Sequence, residues 1–265
     1  MADASAIEKL KPNELSRIKH VVAIMSGKGG VGKSSVAALL ATEARRQGHS
    51  VGVLDADVTG PSIPRMFGMR RRPDSTEMGL IADPTKTGIR VMSLNLLLEH
   101  EDDPVIWRGP LMASAVKQFW TDVIWGDIDY LVVDLPPGTG DSPLTVMQSL
   151  PLEGVVIVTS PQSLAGMVVR KAVKMARLLN VKVVGLIENM AYVQCPACNE
   201  EIYLFGPAHG EAFAAELGVP FLGSLPIDPA FSLACDTGTI ERYNGSVSID
   251  FSLVSGHIEG AARQR

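Results

Sequence analysis

The run Gly27-Lys28-Gly29-Gly30-Val31-Gly32-Lys33-Ser34 constrains this chain more than any other stretch. It matches GxxxxGK[ST] without a mismatch, and its flanks have the required character. The apolar run Val21–Met25 leads into it, and a helix-period segment over Lys33–Gln47 leaves it. Glycines let backbone N–H groups curl round phosphate oxygens without a Cβ in the way. A helix start adds partial positive charge at the same point. Gly27, Lys28, Gly29, Gly30, Val31, Gly32, Lys33, Ser34 and Ser35 are therefore the expected phosphate-binding segment of an ATP site. Within it Lys33 is expected to reach the β- and γ-phosphates, and the Ser34 hydroxyl to bind Mg²⁺.

The rest of the chain supplies the fold that such a loop needs. The patterning predicts strands over His20–Met25, Val51–Asp55, Ile89–Leu94, Tyr130–Asp134, Gly154–Thr159, Lys182–Glu188 and Pro220–Leu222. Several are almost continuously apolar, which means burial on both faces, as in a parallel sheet covered by helices. Helices are predicted over Lys33–Gln47, Leu111–Trp125, Ser142–Leu150, Ser163–Leu179 and Ala208–Leu217. This alternation predicts an α/β fold: a doubly wound, mostly parallel sheet with helices on both faces. Residues 20–265 read as one domain. Residues 1–19 read as a peripheral segment, 68–88 as a polar loop, and the last twenty residues are weakly patterned.

Two strand ends carry carboxylates. Val51–Leu54 runs into Asp55-Ala56-Asp57, and Leu131–Val133 runs into Asp134. Ligands of open α/β sheets sit at the carboxyl ends of the strands. An aspartate there holds Mg²⁺ or its water; the competing role is a cap for the next helix. Gly138 and Gly140 give the loop after Asp134 the freedom that a γ-phosphate sensor needs.

Charge and composition exclude other classes. The net charge is 24 − 29 = −5, which argues against a nucleic-acid binder. Nothing reads as a secretory signal or a membrane span, so a cytoplasmic protein with no membrane or nucleic-acid partner is expected. Arg70-Arg71-Arg72 reads as a solvated stretch of the 68–88 loop. Three cysteines do not make a disulfide scaffold. Cys195-Pro-Ala-Cys198 offers two thiolates spaced for one metal or one cluster edge. On the residues alone an iron–sulfur cluster, a shared Zn²⁺ and a redox pair stay open. A closed four-ligand site needs two further sulfurs, which a two-fold dimer would supply. Cys235 reads as a small buried hydrophobe.

KGGVGKS, with its second lysine Lys28, resembles the deviant P-loop of the MinD/ParA/nitrogenase-iron-protein ATPases. Further along come DADVTGPSIPRMFG (55–68), WRGP (107–110), DYLVVDLPPGTGD (129–141), ENMAY (188–192), CPAC (195–198), FG (205–206), ELGVPFLGSLPIDP (216–229) and DTG (236–238). Together, over roughly residues 20–240, these resemble the Mrp/ApbC iron–sulfur cluster carrier ATPases. The resemblance implies an ATP-dependent homodimer that binds a [4Fe–4S] cluster between subunits through Cys195 and Cys198. Such a carrier receives the cluster from a donor and passes it to apo-proteins; Zn²⁺ can take the same sulfurs in aerobic preparations. It also implies that Lys28 acts across the dimer, that Lys33 and Asp134 serve slow ATP hydrolysis, and that Asp57 orients the attacking water. Asn189, Pro226 and Asp228 would contact adenine. Thr59 stands where many members have tyrosine, and the chain has the compact form, without an appended domain before residue 20. The rival is a MinD- or ParA-like positioning ATPase acting on membrane or DNA. The polar tail HIEGAARQR, the acidic balance and the cysteine pair argue against it.

Overall fold

A computed structural model describes residues 10–57, 60, 62–98, 109–162 and 165–262, with the backbone alone for 109–113, 165, 261 and 262. Val58, Thr59, Pro61, Trp107 and Arg108 lie outside the described residues. The central sheet contains β1 (Arg17–Ser26), β2 (Val51–Asp55), β3 (Asp83–Pro84), β4 (Arg90–Ser93), β5 (Asp127–Asp134), β6 (Gly154–Thr159), β7 (Lys182–Glu188) and β8 (Phe221–Ser224). Its order is β8-β7-β6-β1-β5-β2-β4-β3. All neighbours are parallel except the edge pair β3 and β4. The predicted doubly wound sheet is therefore the observed one.

Successive side chains of a strand point to opposite faces, and β1 divides accordingly. Val21, Ala23 and Met25 enter one core, with Val116, Phe119 and Trp120 of α3 (Gly109–Thr121), Val146 and Met147 of α4 (Asp141–Ser149), and Val169 and Val173 of α5 (Ala165–Leu178). Val22 and Ile24 enter the other, with residues 36–41 of α1 (Lys33–Arg46) and Phe251, Val254 and Ile258 of α8 (Phe251–Ala262). Burial on both faces explains why the middle strands read as unbroken apolar runs.

The same alternation aims the aspartates. Val53 and Val132 face the α1 side, so Asp55 and Asp134, two residues further along each strand, face it too. The β2–β5 register pairs Asp55 with Asp134 directly. Both carboxylates thus arrive beside the first turn of α1, where Lys33 sits.

Several boundaries depart from expectation. β1 begins at Arg17, and Trp120 Nε1 donates to the Leu10 carbonyl at 2.9 Å, so the part of the 1–19 segment from Leu10 onward is tied to the body. The 68–88 loop contains a small sheet, Ser75–Thr76 and Gly79–Ile81, extended by Val123–Ile124. That pairing ends α3 at Thr121, short of the predicted Trp125, by drawing residues 123 and 124 into extended backbone. The C-terminal segment forms α8, whose weak apolar pattern is enough for one buried stripe. Among the described residues no helix is long and apolar enough to cross a membrane.

Ile24 is fully buried in β1, between β5 and β6. Ile24→Ala should cost about 2–5 kcal/mol of stability through lost burial and a residual cavity. Urea unfolding measures it, and an unchanged midpoint would contradict this placement of the core.

Candidate functional site

β1 stops at Ser26 and α1 starts at Lys33, so the glycine-rich run bridges them. Gly32 has φ 77° and caps α1 with no side-chain hydrogen bond, which leaves the first N–H groups of the helix for a ligand. Glycine is needed there twice over, because a Cβ would also lie 2.2 Å from Asn189 Nδ2. At Gly27 a Cβ would meet Val168 Cγ1 at 2.7 Å, so α5 approaches the loop through that gap.

The Lys33 ammonium is buried. It donates to Asp134 Oδ1 at 2.5 Å and to Ser34 Oγ at 3.3 Å, and lies 3.7 Å from Asp57 Oδ2. Asp134 is fully buried, and its Oδ2 has no hydrogen-bond partner among the described residues. Burial pushes the Asp134 carboxyl above its usual range, against the pull of the Lys33 charge and the Ser34 hydroxyl. An orphaned carboxylate oxygen close to a serine hydroxyl suits a hard divalent cation or its water, so the donor set fits Mg²⁺.

Asp55 plays a different part. One carboxylate oxygen accepts from the Asp57 N–H at 3.2 Å; the other accepts from Ser93 Oγ at 3.1 Å and from the Ile63 N–H at 3.4 Å. It thereby ties Asp57 and the first residue of the short helix α2 (Ile63–Met66) to the end of β2. Burial raises its pKa well above the ordinary value, and the neighbouring Asp134 charge adds to this. Of the two competing roles for a strand-end aspartate, Asp55 takes the anchoring one.

Lys28 bends back, and its ammonium donates to Gln162 Oε1 at 2.6 Å. Gln162 was not legible as a site residue: it lies 134 positions from Lys28 and belongs to no motif. Asn189 is buried, and its Nδ2 donates to the Val31 carbonyl at 2.9 Å, so it grips the phosphate loop from beneath. Backbone bonds from Leu225 to Glu188, Ala191 to Leu225 and Ile227 to Tyr192 bring the 225–228 segment, Pro226 included, alongside Asn189. Asp228 caps α7 (Pro229–Asp236): its Oδ1 accepts from the Ala230 N–H at 2.7 Å, and its Oδ2 takes the Tyr243 hydroxyl at 2.5 Å.

Four residues beyond Asn189 the chain enters a hairpin. Val193–Gln194 pairs antiparallel with Glu201–Ile202, and Cys195 and Cys198 occupy its tip. The Cys195 N–H bonds the Glu200 carbonyl at 2.9 Å, and Asn199, at φ 61°, closes the turn. Backbone N–H groups of Ala197 and Cys198 pointing at the Cys195 sulfur lower its pKa, which favours the thiolate that binds metals. Among the described residues no cluster of three or more His, Cys, Asp and Glu could hold a metal ion. Cys235 sits against the core with Met66, Met69 and Phe231, and burial pushes its thiol up to about 11.

A family model described as NUBPL iron-transfer P-loop NTPase, of the ParA group, matches residues 17–252. An iron-sulfur cluster carrier protein of Methanocaldococcus jannaschii is 47% identical over 232 residues, covering 87% of this chain and 80% of that protein. A cytosolic Fe-S cluster assembly factor, CFD1 of Chaetomium globosum, is 43% identical, covering 94% of this chain and 87% of that protein. Among solved structures, a nucleotide-binding protein of Archaeoglobus fulgidus in complex with ADP superimposes with a TM-score of 0.78 at 44% identity, covering 86% of this chain and 90% of that one. The cell division ATPase MinD of Pyrococcus furiosus, at 19% identity, TM-score 0.59 and coverage of 93% and 99%, shares the fold.

Two outcomes follow from the buried charges. Lys33→Ala strands the Asp134 carboxylate and should cost about 3–5 kcal/mol. Adding Asp134→Asn should recover much of that loss in urea unfolding; strictly additive losses would contradict the pair. Asp55 has its folded pKa raised, so its stabilising contribution is full below the unfolded value, about pH 4, and drains as pH rises through the folded value. In magnesium- and nucleotide-free buffer, wild type minus Asp55→Asn stability should therefore fall with rising pH across that window. A difference that rose instead would reverse the assignment.

Proposed function

Because the chain belongs to the ParA/NUBPL family of iron-transfer P-loop NTPases, we propose that it is an ATP-dependent carrier of iron–sulfur clusters. Two copies would hold one [4Fe–4S] cluster between their Cys195 and Cys198 pairs and pass it to apo-proteins. The observation that carries the reading is the hairpin tip, which presents two cysteine sulfurs three residues apart, one of them with a lowered pKa, at the protein surface. Two such pairs related by a dimer axis satisfy the four thiolates that a cluster takes. The exposure of Cys198 suits a cluster that is delivered rather than kept. The names of the relatives from Methanocaldococcus and Chaetomium support the same cargo, and the latter's name supports a cytosolic setting.

The nucleotide chemistry follows from groups already described. ATP phosphates would lie in the 27–34 loop against the first N–H groups of α1. Their negative charge would compete with Asp134 for the Lys33 ammonium, leaving Asp134 with Ser34 for Mg²⁺. The cation, when bound, neutralises charge developing on the β- and γ-oxygens. Asp57, beside Lys33 at the strand ends, would orient the attacking water. Lys28 would leave Gln162 and reach the partner's nucleotide, so that slow hydrolysis depends on dimerisation. Asn189 and the 226–228 segment would flank adenine. Asn189 also lies six residues before Cys195 on the same strand exit, a short covalent path from nucleotide to cargo. Coupling along it would be reciprocal, each ligand changing the other's affinity by the same factor.

Anaerobic reconstitution with iron and sulfide should load wild type with about four irons per two chains. The Cys195→Ser/Cys198→Ser variant should stay folded, bind ATP and hold essentially none. Equal iron in the double variant would remove the cargo assignment.

A further inference from the structure

The fourteen residues 196–209 are all exposed, although Glu201 and Ile202 are paired in the hairpin and the Gly206 N–H bonds the Tyr203 carbonyl at 3.4 Å. Within them lie four consecutive large apolar side chains: Ile202, Tyr203, Leu204 and Phe205, exposed by 46%, 41%, 59% and 46%. Among the described residues the other large exposed hydrophobics are scattered singly along the chain, as is usual for a protein surface. A contiguous apolar run on ordered backbone marks an interaction surface. It begins four residues after Cys198, on the strand that returns from the cysteine tip.

We propose that Ile202–Phe205 is the contact by which a second copy of this chain seats itself around the cluster. The inference rests on the carrier reading above and adds the surface that holds the two halves together. The sulfur count selects the occupant. One hairpin brings two thiolates, so closing the site places a second hairpin tip against the first, and side chains a few residues from the cysteines must then meet the other copy. A two-fold interface is self-complementary, and a patch lying beside its axis buries itself against its own equivalent or the neighbouring hairpin. Tyr203 is braced from within the chain, its ring 6.0 Å from that of Tyr192, which fixes the patch relative to the strand exit from Asn189. The apolar rim would also keep water from the cluster, whose persistence would then depend on the patch as well as on the sulfurs.

The test compares wild type, Leu204→Asp, Phe205→Ser and Cys195→Ser/Cys198→Ser after anaerobic reconstitution with iron and sulfide. Sedimentation velocity across a concentration series, iron content and the rate of iron loss to a chelator are read for each. Leu204, Phe205 and Cys198 are exposed and Cys195 is partly so, so unchanged circular dichroism and ATP binding are expected and serve as controls. The proposal expects the dimer midpoint of Leu204→Asp and Phe205→Ser to rise by at least about tenfold, the effect of losing one interface anchor. Iron should be lost correspondingly faster while both cysteines remain. A dimer midpoint and iron loss equal to wild type overturn it. So does an intact dimer that has lost only the transfer of its cluster to an apo-acceptor, because the patch would then belong to a client. If wild type takes up no more iron than the cysteine variant, the carrier reading itself has failed, and this inference falls with it.

Discussion

The contact between the Lys33 ammonium and Asp134 is where the fold becomes a site. Two buried ions in low dielectric attract strongly but lose much hydration, and such a pair is seldom the most stable way to fill a core. Here it is also incomplete, with one Asp134 oxygen unpartnered among the described residues and Asp55 raised in pKa beside it. Strand register makes the convergence unavoidable: Asp55 and Asp134 are direct neighbours on β2 and β5, on the face covered by α1. Charge collected in this way suits a ligand that brings phosphate oxygens and a divalent cation.

The cysteine hairpin shows the same incompleteness in another form. Its backbone is well defined and one thiol is tuned toward thiolate, yet two sulfurs fall short of a closed site. Asn189 stands between the two regions. Its side chain holds the Val31 carbonyl of the phosphate loop, and its backbone runs on towards the cysteines through Met190 at φ 60°. A change in the phosphate loop therefore has a short physical route to the hairpin, through a buried hydrogen bond and a constrained backbone turn.

Much of this was legible in the sequence. The phosphate loop announces itself because its glycines answer to backbone geometry: Gly30 and Gly32 hold positive φ, and Gly27 has no room for a Cβ. The buried parallel strands announce themselves because burial on both faces leaves no polar positions. Asp134 was found because a strand end in such a sheet is where ligands sit. What stayed hidden depends on contacts between distant residues. Nothing local marks Gln162 as the partner of Lys28, or Ser93 as a donor to Asp55. The short strands within 68–88 were hidden because two or three residues of pairing leave no periodicity. The C-terminal helix was missed because its buried stripe is only a few residues wide. The apolar run 202–205 carried no sequence reading, because four apolar residues in a row are as common in a core as at a surface, and only the structure shows them exposed.

The central claim is that one chain holds half of a cluster site, and native mass spectrometry of anaerobically reconstituted protein addresses it most directly. The account predicts a species of two chains whose excess mass equals one four-iron, four-sulfide cluster, and which falls apart into bare single chains when the cluster is destroyed by oxygen. A single chain carrying its own complete cluster would contradict it, as would a metal-bearing dimer whose mass is accounted for by zinc even under oxygen-free loading.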